Sequence, residues 1–183
     1  WCRDVLFSDG YEAMNKEAEA SGLGAGGALF APYLSGERCP HVDPFVKRGF
    51  FGLSLSQSRG DLARAVFEGV TYGLKDCLDL MNPGKVPDRV RVTGGGAKSQ
   101  LWVQMLADVL GCPCQRLICD EGPAYGAAIL GGLSAGVWND LVKATEQAVK
   151  VRDEVKPSGL DYSCGYLAYR GLYPRLSDLK QPH

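Results

Sequence analysis

One segment constrains the fold of this chain more than any other, because it combines a strand, a glycine turn, a helix and a second strand. Residues 89–93 (RVRVT) alternate as a short strand, and Gly94-Gly95-Gly96-Ala97 follows as a tight turn. Ser99 is placed to cap a helix over residues 100–110. Residues 114–119 (CQRLIC) then form another strand. A strand–helix–strand unit with so short a crossover predicts parallel strands and an α/β fold.

The remaining segments extend the same α/β order. Ser58 and Asp61 predict a capping box at the start of a long helix, whose apolar face carries Leu62, Val66 and Val70. Further predicted helices cover residues 1–7, about 9–20 with Ser8 or Asp9 as cap, 121–136, 141–151 with Asn139 or Asp140 as cap, and 166–179. Further predicted strands cover residues 28–34 and 49–55. The pattern shows no repeat and no internal domain boundary.

Composition excludes several classes of protein. The net charge is −1 and no run of four or more basic residues exists, which argues against nucleic acid as a partner. Residues 122–138 form the longest uncharged stretch of apolar content. It is slightly shorter than the ~20 residues of a spanning helix and is rich in Gly and Ala, which argues against a membrane span. Seven cysteines without a CxxC, and two histidines, give no zinc spacing and indicate free thiols in a reducing cytoplasm. The start without Met, inside an apparent helix, suggests a fragment.

Glycine is the unusual component, with 24 of 183 residues against a typical share of about 7%. Three glycines lie in the turn before Lys98, where exposed backbone N–H groups could bind a ligand. Val92 and Ala97 replace the glycines of a P-loop, and Ser99 replaces the last glycine of a dinucleotide fingerprint. A turn that binds nothing is therefore an equal alternative, and Lys98 is then a solvated charge.

Two other segments carry candidate chemistry. Residues 122–132 form a helix of small residues, suited to close helix–sheet packing or, as the less favoured alternative, to a ligand or hinge. Residues 35–48 form a polar loop in which His41 could act as a general base. Since no Ser or Cys partner is identifiable, a hydrogen-bonded surface histidine is the favoured interpretation.

Four segments in their order and spacing resemble the C-terminal lobe of the FGGY family of carbohydrate kinases. The resemblance runs over nearly all of residues 1–180, and it is highly specific only when the four are taken together. Among the branches of the family, the xylulokinases are the most similar, mainly through GERCPHVDP. The four segments are FAPYLSGERCPHVDP (30–44), RGFFGLSLSQSRGDLARAVFEGV (48–70), RVTGGGAKSQLWVQMLADVLGCP (91–113) and EGPAYGAAILGG (121–132).

The resemblance implies a ribonuclease H-like domain of the actin-like ATPase fold, with a mixed sheet flanked by helices. Residues 1–183 would form the C-terminal, ATP-binding lobe. The N-terminal lobe, which binds the sugar and supplies the catalytic Asp, has no match in this chain, and neither have the phosphate loops. The resemblance therefore implies no catalytic residue and no metal ligand among these residues.

The resemblance also implies the residues that contact the nucleotide. Gly126 and its small neighbours match a helix at the interlobe hinge, where small side chains permit the lobes to slide. The residues matching the adenosine-binding turn and the position beside the adenine are Gly94, Gly95, Gly96, Ala97 and Gln100.

The implied activity is phosphoryl transfer from Mg·ATP to a sugar hydroxyl, for the xylulokinases the 5-hydroxyl of D-xylulose. Alternatives are a gluconokinase, ribulokinase, fuculokinase or sedoheptulose-type enzyme, or a non-catalytic actin-like module. The implied cofactors are ATP and Mg²⁺. The expected partners are a sugar, ATP and the missing lobe, with no nucleic acid and no membrane, in a cytoplasmic protein. A homodimer would fit the family, and the isolated chain is expected to be inactive.

Overall fold

The structure is a computed structural model that describes residues 1–119 and 122–178. The chain divides into two compact units, a division that the sequence pattern does not predict. The first unit comprises Trp1–Val86, Asp108–Leu110 and residues 159–178. The second unit comprises Pro87–Ala107 and Gly111–Ser158.

Helices and strands are interspersed along the chain, so the predicted α/β class is confirmed. In chain order, the helices are α1 (Cys2–Leu6), α2 (Tyr11–Ser21), α3 (Arg59–Met81), α4 (Gln100–Leu110), α5 (Gly122–Ser134), α6 (Leu141–Ala148), α7 (Ser163–Arg170) and α8 (Leu172–Ser177). The strands are β1 (Leu29–Ala31), β2 (Gly49–Phe51), β3 (Val90–Val92), β4 (Cys114–Leu117) and β5 (Val151–Val155). Across the described residues, no helix combines the length and the apolar character that crossing a membrane requires.

The first unit is built on α3, which packs against α2 and against the antiparallel pair β1–β2. The predicted capping box is present: the Ser58 side chain accepts a hydrogen bond from the Asp61 backbone, and the Asp61 side chain accepts one from the Ser58 backbone. Phe30 of β1 and Ala65 of α3 are both buried in one apolar cluster. The capped helix therefore supports the short ribbon that no other strand extends among the described residues.

A buried ion pair lies inside this unit, on α3. Arg64 Nε donates to Glu68 Oε1 at 2.8 Å, and both side chains are at most 5% exposed. The backbone N–H of Gly24 donates to the same carboxylate oxygen at 2.9 Å, and Arg64 Nη2 donates to the Tyr162 hydroxyl at 2.7 Å. The charges are thus hydrogen-bonded on both sides, as buried charges must be.

The second unit contains a three-stranded mixed sheet in the order β3–β4–β5. β3 pairs with β4 in parallel, as the strand–helix–strand pattern predicts, and β5 is antiparallel to β4. Helix α4 has the predicted bounds, because Ser99 Oγ accepts from the Trp102 N–H at 3.2 Å and Gly111 ends the helix with φ +71°.

Several predicted elements differ from the structure. Helix α2 begins after Gly10 (φ +99°) instead of being capped by Ser8 or Asp9. Strands β1 and β2 are shorter than residues 28–34 and 49–55, because their pairing runs only from Leu29–Phe51 to Ala31–Gly49. On α3, Leu62, Val66 and Val70 are only half-buried. Small residues, Tyr72 and the Arg64–Glu68 pair hold the buried positions.

The region after α5 also differs. Helix α6 is capped by Asp140, as one alternative predicts, but ends at Ala148, and the following residues pair with β4 as β5. The predicted C-terminal helix is two helices, α7 and α8, that meet at Gly171. Residues 121 and 179, which the predictions place in α5 and in that last helix, lie outside the described residues.

Candidate functional site

The carboxyl ends of β3 and β4 define the candidate site in the second unit. Because these strands are parallel, the segments that follow them leave the sheet at the same edge. The glycine turn follows β3, and α5 begins soon after β4. A Cβ atom built on Gly122, the first residue of α5, would lie 3.9 Å from Thr93 Oγ1. The turn and the start of α5 are therefore neighbours, at the sheet edge where open α/β sheets bind ligands.

Three of the predicted site residues shape the turn itself. Gly94 has φ +82°, a backbone conformation that disfavours any side chain. A Cβ atom on Gly96 would lie 1.6 Å from Trp102 Cζ3, so the indole of α4 excludes every other residue there. Ala97 is buried, at 2% exposed. Trp102 is not among the predicted site residues, although a tryptophan shortly after a glycine triplet is a visible signal.

Gly95 differs from its two neighbours, because neither packing nor backbone conformation requires glycine there. It is exposed, its φ lies outside the left-handed region, and an added Cβ would meet no atom within 4 Å. The missing side chain leaves its backbone open to a flat ligand. Gln100 is also exposed, at the first position of α4, where the positive end of the helix dipole lies.

Gly126 lies on the same helix as Gly122, one turn further along. It is exposed, and an added Cβ would meet no atom within 4 Å. Helix α5 is held from its other side: the Tyr125 hydroxyl donates to the Ala148 carbonyl at 2.7 Å. The structure thus brings Gly122 to the turn and leaves the Gly126 face uncovered by described residues.

His41 belongs to the other compact unit and not to this sheet edge. Its ring stacks on Tyr173 with 3.5 Å between centroids, and burial lowers the pKa of the imidazole. It lines a cavity of about 460 Å³ together with Tyr33 and Asp76. The residues that the structure describes hold no group of three or more metal-ligating side chains.

Comparisons with known proteins agree on one family. The profile of the C-terminal domain of the FGGY family of carbohydrate kinases matches residues 6–135. A xylulose kinase of Staphylococcus epidermidis is 35% identical over 184 residues, which cover 98% of this chain and 37% of that protein. A gluconokinase of Bacillus licheniformis is 35% identical over 180 residues, covering 85% of this chain and 34% of that protein.

Solved structures give the same result for the fold. The crystal structure of xylulose kinase from Rhodospirillum rubrum superposes with a TM-score of 0.81 at 29% identity. The match covers 98% of this chain and 37% of that one. The fold is therefore that of the sugar kinases, as the resemblance implies, and this chain spans little more than a third of the length of these relatives.

Proposed function

Because this chain belongs to the FGGY family of carbohydrate kinases, we propose that it forms the nucleotide-binding, C-terminal lobe of a sugar kinase. Residues 1–183 supply this lobe, and the N-terminal lobe with the catalytic base and the phosphate loops belongs to a longer protein. The proposal is supported by the share of the relatives' length that the chain spans.

The observation that carries the nucleotide site is the uncovered backbone at Gly95. Gly94 is required by its positive φ and Gly96 by the indole of Trp102. Within the turn, Gly95 is the glycine that neither backbone conformation nor packing in the described fold requires. A flat nucleoside can lie against this backbone only while no side chain covers it. The residues present therefore fit an adenosine, which Gln100, exposed at the start of α4, would contact in this proposal.

The residues of this chain bind and orient, and in this proposal they take part in no bond that breaks. Gly94, Gly95, Gly96 and Ala97 hold the adenosine, with the start of α4 directed by Ser99. When bound, ATP supplies the transferred phosphoryl group and Mg²⁺ neutralises the charge on the phosphates. Gly126 keeps α5 free of bulk on its exposed face, which permits the two lobes to close. Positioning of this kind is the main source of rate in phosphoryl transfer.

The proposed acceptor is D-xylulose, phosphorylated at its 5-hydroxyl, within xylose metabolism. Its support is the 35% identity to the xylulose kinase of Staphylococcus epidermidis over nearly the whole chain. The equal identity to a gluconokinase keeps gluconate as a second candidate. Substrate profiling of the full-length protein with D-xylulose, gluconate, ribulose and fuculose separates them, since the correct acceptor has the highest kcat/KM. The seven free cysteines support a cytoplasmic location.

A substitution at Gly95 tests the nucleotide site without disturbing the fold. We expect Gly95→Val in the full-length protein to raise the KM for ATP at least tenfold and to leave the KM for the sugar unchanged. Gly95→Ala is the milder matched variant, and its KM for ATP should lie between those of the unsubstituted protein and Gly95→Val. Gly96→Val is unsuitable, because its Cβ collides with Trp102 whether or not a nucleotide binds.

The measurement is steady-state kinetics, with thermal unfolding as the check on folding. An unchanged KM for ATP in a folded Gly95→Val protein would contradict the nucleotide site. The non-catalytic actin-like module makes a different prediction. The unsubstituted protein would then phosphorylate no sugar, and its biological function would survive Gly95→Val. The isolated 183-residue chain should show no ATP-dependent sugar phosphorylation.

A further inference from the structure

Two cysteines from different elements meet in the first compact unit. Cys39 lies in the loop between β1 and β2, and Cys77 lies near the end of α3. The Cys77 thiol donates a hydrogen bond to the Cys39 carbonyl oxygen, with 3.3 Å between sulfur and oxygen. Both thiols are free. Burial and a side-chain hydrogen bond with Cys39 raise the pKa of the Cys77 thiol to about 11.

The loop holds Cys39 in place. Glu37 and Asp43 exchange two backbone hydrogen bonds of 2.7 and 2.8 Å, which close the loop on either side of Cys39. The Cys39 N–H also donates to Glu37 Oε1 at 2.9 Å. Cys77, for its part, is carried by the long helix α3. The approach of the two cysteines is therefore built into the fold and does not depend on a mobile side chain.

Exposure distinguishes this pair from the other close pair of cysteines. Cys112 and Cys114 are 2% and 0% exposed, so an oxidant in solution cannot reach them. Cys39 is exposed and Cys77 is half-buried directly behind it. An accessible thiol beside a second thiol is an arrangement in which a sulfenic acid on the first can be resolved as a disulfide.

We propose that Cys39 and Cys77 form an oxidisable pair that a hydroperoxide converts into a disulfide between the loop and α3. In the first step, the Cys39 sulfur attacks the peroxide and the O–O bond breaks; one oxygen stays on sulfur as Cys39 sulfenic acid, and the other leaves with a proton as water (or alcohol). In the second step, the Cys77 sulfur attacks the sulfenic sulfur, the S–O bond breaks, and the hydroxyl leaves with the Cys77 proton as water. Two thiols are oxidised by two electrons and one peroxide is reduced.

The disulfide would tie together two walls of one cavity. The residue after Cys39 and the residue before Cys77, Pro40 and Asp76, both line the cavity of about 460 Å³ that also contains His41. Oxidation would therefore fix the distance between the loop wall and the helix wall. We expect slower backbone amide exchange at residues 39–42 in the oxidised protein than in the reduced one.

The test uses peptide mapping of the full-length protein after treatment with hydrogen peroxide and blocking of the remaining thiols. Trypsin releases each cysteine in its own peptide, CPHVDPFVK (39–47) and DCLDLMNPGK (76–85). We expect a linked species, lighter than the sum of the two peptides by two hydrogen atoms and separated by a reducing agent. Cys164→Ser, which removes another exposed thiol, is the matched control and should leave the linked species unchanged.

Cys77→Ser keeps the proposal testable by a second route. Without its resolving thiol, Cys39 should accumulate as sulfenic acid and be trapped by dimedone, whereas the unsubstituted protein yields little trapped product. Oxidation of Cys39 to sulfinic acid with Cys77 still reduced, or a linkage of Cys39 to other cysteines as frequent as to Cys77, would overturn the proposal.

The second step should accelerate with rising pH. Cys77 is almost entirely protonated at neutral pH because its pKa is raised; the groups that raise it are Cys39 and Glu37 of the loop and Asp76 of α3, besides burial. The thiolate is the attacking form, so closure measured after a short peroxide pulse should speed up by about tenfold per pH unit below that pKa. A closure rate independent of pH between 7 and 9 would contradict Cys77 as the resolving thiol.

Discussion

Helices α3 and α5 both carry several glycines, and the glycines serve opposite purposes in the two helices. On α3, a Cβ atom added to Gly69 would lie 2.2 Å from the Phe30 carbonyl oxygen, and one added to Gly60 would lie 2.5 Å from the Glu17 carbonyl oxygen. Both are backbone atoms that cannot turn aside. These glycines let α3 touch the main chain of its neighbours.

On α5, the corresponding space is empty. Cβ atoms added to Gly126 and Gly131 would meet no atom within 4 Å, and Leu130 is 59% exposed. Gly132 alone has a steric reason among the described contacts, since its Cβ would lie 2.4 Å from Trp138 Cζ3. A run of small residues thus means a filled contact in one helix and an open face in the other. We propose that the N-terminal lobe meets this open face.

The largest effect is expected at Gly69. In Gly69→Ala, the new methyl group must displace the β1 backbone, and the free energy of unfolding should fall by about 3 kcal/mol, at the upper end of overpacking costs. Gly60→Ala, nearer the helix start, should cost less, about 1–2 kcal/mol. Urea unfolding followed by circular dichroism measures both. Surface substitutions usually change stability by about ±0.5 kcal/mol or less. A loss within that range at Gly69 would show that its missing side chain is not required by a backbone contact.

A smaller effect is expected at the capping box that begins α3. Hydrogen bonds from Ser21 and from the backbone and side chain of Ser58 lower the pKa of Asp61 below its ordinary value near 3.8. The ionised form therefore stabilises the fold above that ordinary value, and the contribution disappears as the pH falls through the lowered pKa. Asp61→Ala should cost on the order of 1 kcal/mol at pH 7.

Unfolding measured between pH 7 and pH 2 provides the check for this capping box. The stability difference between the unsubstituted protein and Asp61→Ala should stay constant down to about pH 4 and shrink below it. A difference that grew on acidification would contradict the sign of the pKa shift.

The smallest effect is expected on α5 and has the opposite sign. Gly131→Ala should stabilise the fold by about 0.5–1 kcal/mol, because alanine favours a helix and nothing opposes its methyl group. Gly126→Ala should stabilise the fold equally but lower kcat/KM for ATP in the full-length protein, since Gly126 belongs to the proposed hinge. Thermal unfolding of Gly126→Ala and Gly131→Ala measures the effect on stability, and kinetics measures the effect on ATP use. Destabilisation by either substitution would show that this face of α5 is covered.

Local signals explain which parts of the fold were predictable. Helix α4 was predictable to the residue because Ser99 and Gly111 determine its ends through hydrogen bonds and backbone conformation within a few residues. The capping box of α3 is equally local. The parallel β3–β4 pairing followed from the strand–helix–strand order and its short crossover.

Distant contacts explain the errors. Residues 151–155 form β5 because they pair with β4, where Arg116 lies opposite Asp153 and forms an ion pair with it at 2.6 Å. Nothing within VRDEV itself indicates that partner. The buried face of α3 was misplaced for the same reason, because Arg64 is buried only through Glu68 and the distant Tyr162.

The sequence by itself determined the family and the position of the glycine turn, because both depend on residue types at fixed spacing along the chain. Only the tertiary structure decided what each glycine does. Gly96 makes room for Trp102, Gly69 makes room for the backbone of β1, and Gly95 makes room for no atom of the described chain. The physical reason is that the atoms surrounding a glycine determine whether a side chain would fit there. Those atoms come from residues that the local pattern does not specify.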